Sequence, residues 1–158
     1  MLKRMTSLFT ALCLFIVLVL SGCSSDADKT PRELANDIKK QMSFSQLKEL
    51  SGGDLPAHFV FKDGDVAEFS VMISATGESA DTIACFKMRD DNKSVIVEGI
   101  AKYLENRAAS FKATLVNEYE KLEKHILVQV NDIIILVICS DYATISSYLD
   151  DLGAKEIA

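Results

Sequence analysis

Apolar residues fall into three patterns along this 158-residue chain, and each pattern predicts a different kind of element. The first is a nearly unbroken run, Leu8 to Leu20 (LFTALCLFIVLVL), of 13 residues. A helix needs roughly 20 apolar residues to cross a hydrocarbon core, so this run is too short for a permanent span. The second pattern repeats every three and four residues, as on one face of a helix, and the third alternates with a period of two, as in a strand.

The helical pattern opens at Thr30-Pro31-Arg32-Glu33. Thr30 suits a cap, Pro31 the first helical position, and Glu33 stands three residues after the cap to complete a capping box. Leu34, Ile38 and Met42 then share a face. Phe44, Leu47 and Leu50 read as a second short turn of helix, ended by Ser51-Gly52-Gly53. The longest helix follows the cap candidates Asp90-Asp91-Asn92, with Val97, Ile100, Leu104, Ala108, Phe111 and Leu115 as its inward stripe. Asn117 and Glu120 repeat the cap-then-acid signal for a short helix to about Lys124, and Ser140 or Asp141 opens a last one carrying Ile145, Leu149 and Leu152, stopped by Gly153.

Strand readings fill the intervals: His58 to Phe61, Val66 to Ser74 and Thr82 to Met88, then His125 to Val130 and Ile133 to Ser140. Asn131-Asp132 joins the last two as a two-residue hairpin loop whose side chains tolerate positive φ. Ile133 to Ile138 (IIILVI) is continuously apolar, so this strand should be central or covered on both faces. The order α-β-β-β-α-β-β-α predicts one α+β domain from residue 30 to 158, a mainly antiparallel five-stranded sheet packed on helices in two layers.

Composition narrows the class. With 49% hydrophobic and 25% charged residues the chain is not disordered throughout, and a net charge of −6 argues against neutralising the phosphates of a nucleic acid. Lys3 and Arg4 ahead of the apolar run give the layout of an export signal over residues 1–22. Leu20-Ser21-Gly22-Cys23 resembles the lipobox of bacterial lipoproteins, in which small residues precede a cysteine that receives a diacylglyceryl thioether. That implies a mature chain starting at Cys23, lipidated there, with residues 23–29 as anchor and polar tether. Two or three acyl chains would hold it stably to the extracytoplasmic face of a membrane. Loss of Lys3 and Arg4 leaves 15 Lys and Arg against 23 Asp and Glu, a net charge of −8, which an anionic leaflet repels.

Several stretches carry a family likeness: the lipobox, Glu33-Leu34-Ala35, Asp65-Val66 with Glu68-Phe69, Ser79 to Lys87 (SADTIACFK), Arg107 ahead of Phe111, and Glu118 to Leu122. In these the chain resembles a family of small lipoproteins of Gram-positive, clostridia-like bacteria, known as domain of unknown function 4358, over about Pro31 to Asp150. Members often carry an aromatic residue and a proline where this chain has Leu115 and Asn117, and a glycine in the hairpin turn. The resemblance implies envelope location and an α+β fold, and it transfers no catalytic residue.

Cys85 and Cys139 lie in strand readings; a bridge between them requires α-carbons within about 7 Å, and two buried thiols are the favoured reading. His58 and His125 lack the spacing of zinc ligands, no phosphate-cradling glycine loop or Gly-x-Ser-x-Gly elbow occurs, and the Asp63-Gly64-Asp65 turn fails as a calcium loop at Ala67 and Ser74. The sequence therefore predicts no cofactor, metal or catalytic set. The expected role is a membrane-anchored, non-enzymatic binding module with an envelope protein as candidate partner, an edge strand offering one contact surface. The alternative is a small-ligand-binding or enzymatic lipoprotein, which a pocket lined by Arg107 or by the Asp63 to Glu68 turn would favour.

Overall fold

A computed structural model of the chain describes residues 29–157. The leader, Cys23 and most of the tether lie outside the described residues. The first helix, α1 (Pro31–Gln41), starts as its sequence dictates: Thr30 accepts from the Glu33 amide, and the Glu33 carboxylate accepts from the Thr30 amide at 2.9 Å. Then come β1 (Leu47–Glu49), a 3-10 turn (Leu55–Ala57), β2 (Val66–Ser74), β3 (Thr82–Met88), α2 (Lys93–Phe111), α3 (Val116–Glu123), β4 (Ile126–Val130), β5 (Ile133–Ile138), α4 (Tyr142–Asp151) and β6 (Lys155–Glu156).

The six strands form one sheet in the order β1-β2-β3-β5-β4-β6, with every pairing antiparallel. An α+β domain is thus correct, but the sheet has six strands, not five. Two of the differences are short edge strands. Leu47–Glu49 pairs with β2 instead of forming a helical turn, because Leu47 and Leu50 lie against opposite faces of the sheet, the alternation of a strand. Lys155–Glu156 pairs with β4 after Gly153, whose φ of +74° turns the chain back.

The third difference is a loss. His58 to Phe61 is no strand: the amides of His58, Phe59 and Phe61 bond to the carbonyls of Leu55 and Phe59 inside the local turn instead of to a neighbouring strand. Phe59 is fully buried while Val60 is 70% exposed, so side chains still alternate along an unpaired strap. In the β4–β5 hairpin, Asn131 takes the positive φ of +51° that its turn demands, and Val130 pairs with Ile133.

Layering also departs from the two-layer expectation, because helices cover both faces of the sheet. Alternate residues of β5 divide between them. Ile134, Leu136 and Ile138 pack with Val71, Ala84 and Phe86 under α2, α3 and the 59–61 strap; Ile133, Ile135 and Val137 pack with Met72, Ile83 and Cys85 under α1 and α4. This explains the continuous run: a strand buried on both faces has no polar position to spare. On α2 the deeply buried residues are Ile96, Ile100, Tyr103 and Phe111, so the inward stripe is rotated from the one through Val97, Leu104 and Ala108, which are partly buried at its flank.

Four rings knit the strap to this core. Phe59 stacks on Tyr103 with centroids 4.4 Å apart, and both Phe59 and Phe61 meet Phe86 edge-on at 5.1 Å. Truncating Phe59 to alanine should cost about 3–5 kcal/mol through loss of transfer energy and the cavity left behind. Val60→Ala, one position along, should stay within about 0.5 kcal/mol, as expected for a surface site. Denaturant unfolding of the two variants checks the contrast.

Candidate functional site

Two features stand out on the α2 side of the sheet: a polar network at one end and an open groove at the other. The network begins where β3 begins. Asp81 is only 6% exposed at its side chain; one carboxylate oxygen accepts from the Ser45 amide at 2.8 Å and the other from Lys121 Nζ of α3 at 2.9 Å. Lys121 also meets Glu118 at 3.0 Å, one turn earlier on α3. Glu118 in turn accepts from the Ala80 amide at 2.7 Å and the Ser79 hydroxyl at 3.1 Å.

From α2, Arg107 donates to the Ser79 carbonyl at 2.8 Å and lies over the Phe111 ring at 4.4 Å, while Tyr103 shares a hydrogen bond of 2.9 Å with Thr82. Residues far apart in sequence therefore converge. Of the family-like stretches, Ser79 to Thr82, Arg107 and Glu118 to Lys121 meet in this one cluster, and Glu33 and Asp65 serve as local caps, Asp65 accepting from the Lys62 amide at 2.7 Å. Sequence reasoning named Arg107 and the Glu118 stretch but not their meeting point, because no spacing rule links a β-turn to two separate helices.

Electrostatics decide what the cluster can do. Burial alone would raise the Asp81 pKa, but the Ser45 amide and the Lys121 ammonium outweigh it and hold the carboxyl below its usual range. Burial likewise works against the Lys121 charge, yet its two carboxylate partners raise its pKa. Ser79 Oγ lies 3.5 Å from Lys121 Nζ, superficially the pair of a serine–lysine hydrolase. A lysine that activates serine must be neutral to take the proton, whereas Asp81 and Glu118 favour the charged form of this one, and its ion pairs clamp α3 to the sheet.

The remaining sequence candidates are dispersed. Cys85 and Cys139 are both free and buried. The bridge weighed from sequence is not formed: Cys85 pairs with Ile135 and Cys139 follows the Thr82–Ile138 pair, a stagger of four residues, or roughly 13 Å at strand rise. Burial raises both thiols, Cys139 to about 11, with the charge of Asp81 adding to it. His58 caps the 3-10 turn with its pKa lowered by burial and by Lys48 and Arg107, and His125 lies 2.7 Å from the Leu122 carbonyl. Among the described residues no group of three or more His, Cys, Asp or Glu could hold a metal ion, and no helix is long and apolar enough to cross a membrane.

The groove runs between the strap and the first three turns of α2. It encloses about 660 Å³ and is lined by Val60, Phe61, Lys62 and Asp65 on one side and by Val95, Glu98, Gly99, Ala101, Lys102 and Glu105 on the other. Gly99 sets its floor: a Cβ there would sit 2.2 Å from the Phe61 ring, so only glycine lets the strap approach the helix. Asp65 holds the strap's far end, since its carbonyl accepts from the Asn92 side chain at the head of α2. Asp90 and Asp91, both with positive φ, make the turn that delivers Asn92 there.

The fold is thus an α+β domain whose antiparallel sheet is covered on both faces, with a ligand-sized groove. Residues 40–139 match the family described as Domain of unknown function (DUF4358), and the chain belongs to that family. The matched segment contains the whole groove and the whole polar network, and leaves out α4, β6 and most of α1. No curated protein and no solved structure matches the chain.

Replacing Lys121 with methionine strands the buried Asp81 carboxylate and should cost about 3 kcal/mol, part of it recovered when Asp81→Asn is added. Because the Asp81 pKa is lowered on folding, its contribution is complete above the unfolded value of about 4 and is lost as pH falls through the folded one. The raised Lys121 pKa gives stability complete below about 10.4 and lost as pH rises through its folded value. Stability from this pair should therefore be flat between about pH 5 and 9, and Asp81→Asn should flatten the acid limb in pH-dependent denaturant titrations.

Proposed function

We infer that this chain is a lipoprotein held at the outer face of a bacterial membrane through Cys23, and that its domain is a non-enzymatic binding module whose contact site is the groove between the strap and α2. The observation that carries the binding reading is the groove itself. A volume of about 660 Å³ falls within the range of small-ligand sites, and its lining mixes apolar residues (Val60, Phe61, Val95, Gly99, Ala101) with charged ones (Lys62, Asp65, Glu98, Lys102, Glu105). Asp65, from the turn singled out in the sequence, lines it; Arg107 does not, being committed to Ser79 and Phe111. The wall therefore favours a ligand-binding lipoprotein over a module that works only through an edge strand.

The anchor reading rests on Lys3, Arg4, the Leu8 to Leu20 run and Leu20-Ser21-Gly22-Cys23, together with the likeness to small lipoproteins of Gram-positive, clostridia-like bacteria. The non-enzymatic reading is supported by the polar cluster, where the lysine beside Ser79 is held in its charged form by Asp81 and Glu118.

Mass spectrometry of the membrane-extracted protein should find the chain beginning at Cys23 with a diacylglyceryl thioether on its sulfur. The Cys23→Ala variant should keep an uncut leader and lack the lipid mass. An unmodified thiol at Cys23 in otherwise processed material would remove the anchor.

A further inference from the structure

One edge of the sheet is only partly paired by the chain's own strands. β1 covers β2 from Met72 to Ser74, and the last bond across that seam runs from the Leu50 amide to the Val71 carbonyl. Beyond it the chain turns away, the Asp54 and Leu55 amides bonding back to the Ser51 carbonyl. Val66 to Ser70 therefore have β3 on one side and, among the described residues, no strand on the other. Antiparallel geometry decides which backbone groups face that open side, because successive residues turn their N–H and C=O alternately to the two neighbours. The Ser74 amide bonds to Asp81 on the β3 side and the Val71 carbonyl accepts on the β1 side, so Ser70, Met72 and Ser74 serve β3. Phe69 accordingly presents a donor and an acceptor along the line that a longer β1 would have followed.

The two faces beside this edge select the occupant. On the α2 side, Val66 and Phe69 with Gly52, Leu55 and Pro56 line a depression of about 170 Å³. That is below the roughly 300–1,000 Å³ of small-ligand pockets and suits one apolar side chain. On the other face stands Glu68, exposed, whose cross-strand neighbour Lys87 is already paired to Asp132 at 3.4 Å. A residue added opposite Phe69 points into the depression, and the next residue along lies opposite Glu68. A second copy of this chain fits poorly, since pairing the two edges about Phe69 sets the two Glu68 side chains on a diagonal of about 7–8 Å, a like-charge contact. We propose that the open edge of β2 takes an extended segment of a partner protein as an added antiparallel strand, with an apolar residue opposite Phe69 and a basic residue opposite Glu68. Main-chain bonds to Phe69 supply the attachment, and the depression and Glu68 supply the selectivity.

The test titrates the isotope-labelled full chain in detergent with a blocked hexapeptide of alternating valine and lysine, read by amide NMR. Shifts and slowed exchange should centre on the Phe69 amide. N-methylation of the valines removes the donor that meets the Phe69 carbonyl and should weaken binding about tenfold. A hexapeptide of valine and glutamate should bind about fivefold less well, and Glu68→Lys, at an exposed position, should reverse that preference. Val60→Asp alters the lining of the groove and not of the depression, so it should leave peptide binding unchanged and keeps the two sites distinguishable. Shifts centred away from β2, equal binding of the N-methylated peptide, or an unaltered charge preference in Glu68→Lys overturn the proposal. A concentration-dependent dimer that the peptide dissociates also overturns it, because the edge would then belong to a second copy.

Discussion

The structure depends on one strand that is apolar on both sides. Ile133 to Ile138 fills the centre of the sheet and supplies three side chains to each of two cores, so neither face can be left to water. At about 25 cal/mol per Å² of buried apolar surface, an uncovered face would forfeit several kcal/mol. Everything else follows from covering both: α1 and α4 on one side, α2, α3 and the aromatic strap on the other. The strands on either side, β3 and β4, then fix where the polar turns emerge.

Covering both faces creates a problem at the sheet's end, where β3 starts and the Ala75 to Asp81 turn is pressed between α2, α3 and the segment before β1. Buried backbone groups there need partners. Glu118, Arg107 and Asp81 supply them, with Lys121 bridging the two carboxylates, and in doing so commit their charges to the fold. Three of the stretches that carry the family likeness contribute these clamps. Their contacts serve assembly, and the groove at the opposite end is built from Gly99, the strap and the outer face of α2.

Much of the architecture was legible in the chain. The capping box at Thr30, the bounds of β2 and β3, the Asn131-Asp132 hairpin and the helix capped by Asp141 each rest on interactions within a few residues, which local patterns encode. The errors share a cause as well. Leu47–Glu49 and Lys155–Glu156 are strands only because a neighbour offers an open edge, and His58 to Phe61 has strand-like alternation but no neighbour at all. Short segments have too little pattern of their own to outvote their surroundings.

The sequence by itself determined most of the longer elements, the need for a core around the IIILVI strand and the acidic net charge, because each is a property of adjacent or regularly spaced residues or of composition. Only the tertiary structure decided that the core is double, that Cys85 and Cys139 stand too far apart in register to join, and that Ser79, Asp81, Arg107, Glu118 and Lys121 form one network. It alone set Gly99 beneath Phe61 and so opened a groove along α2. These are relations between segments separated by tens of residues, fixed by sheet register and helix docking, and no local spacing in the chain records them.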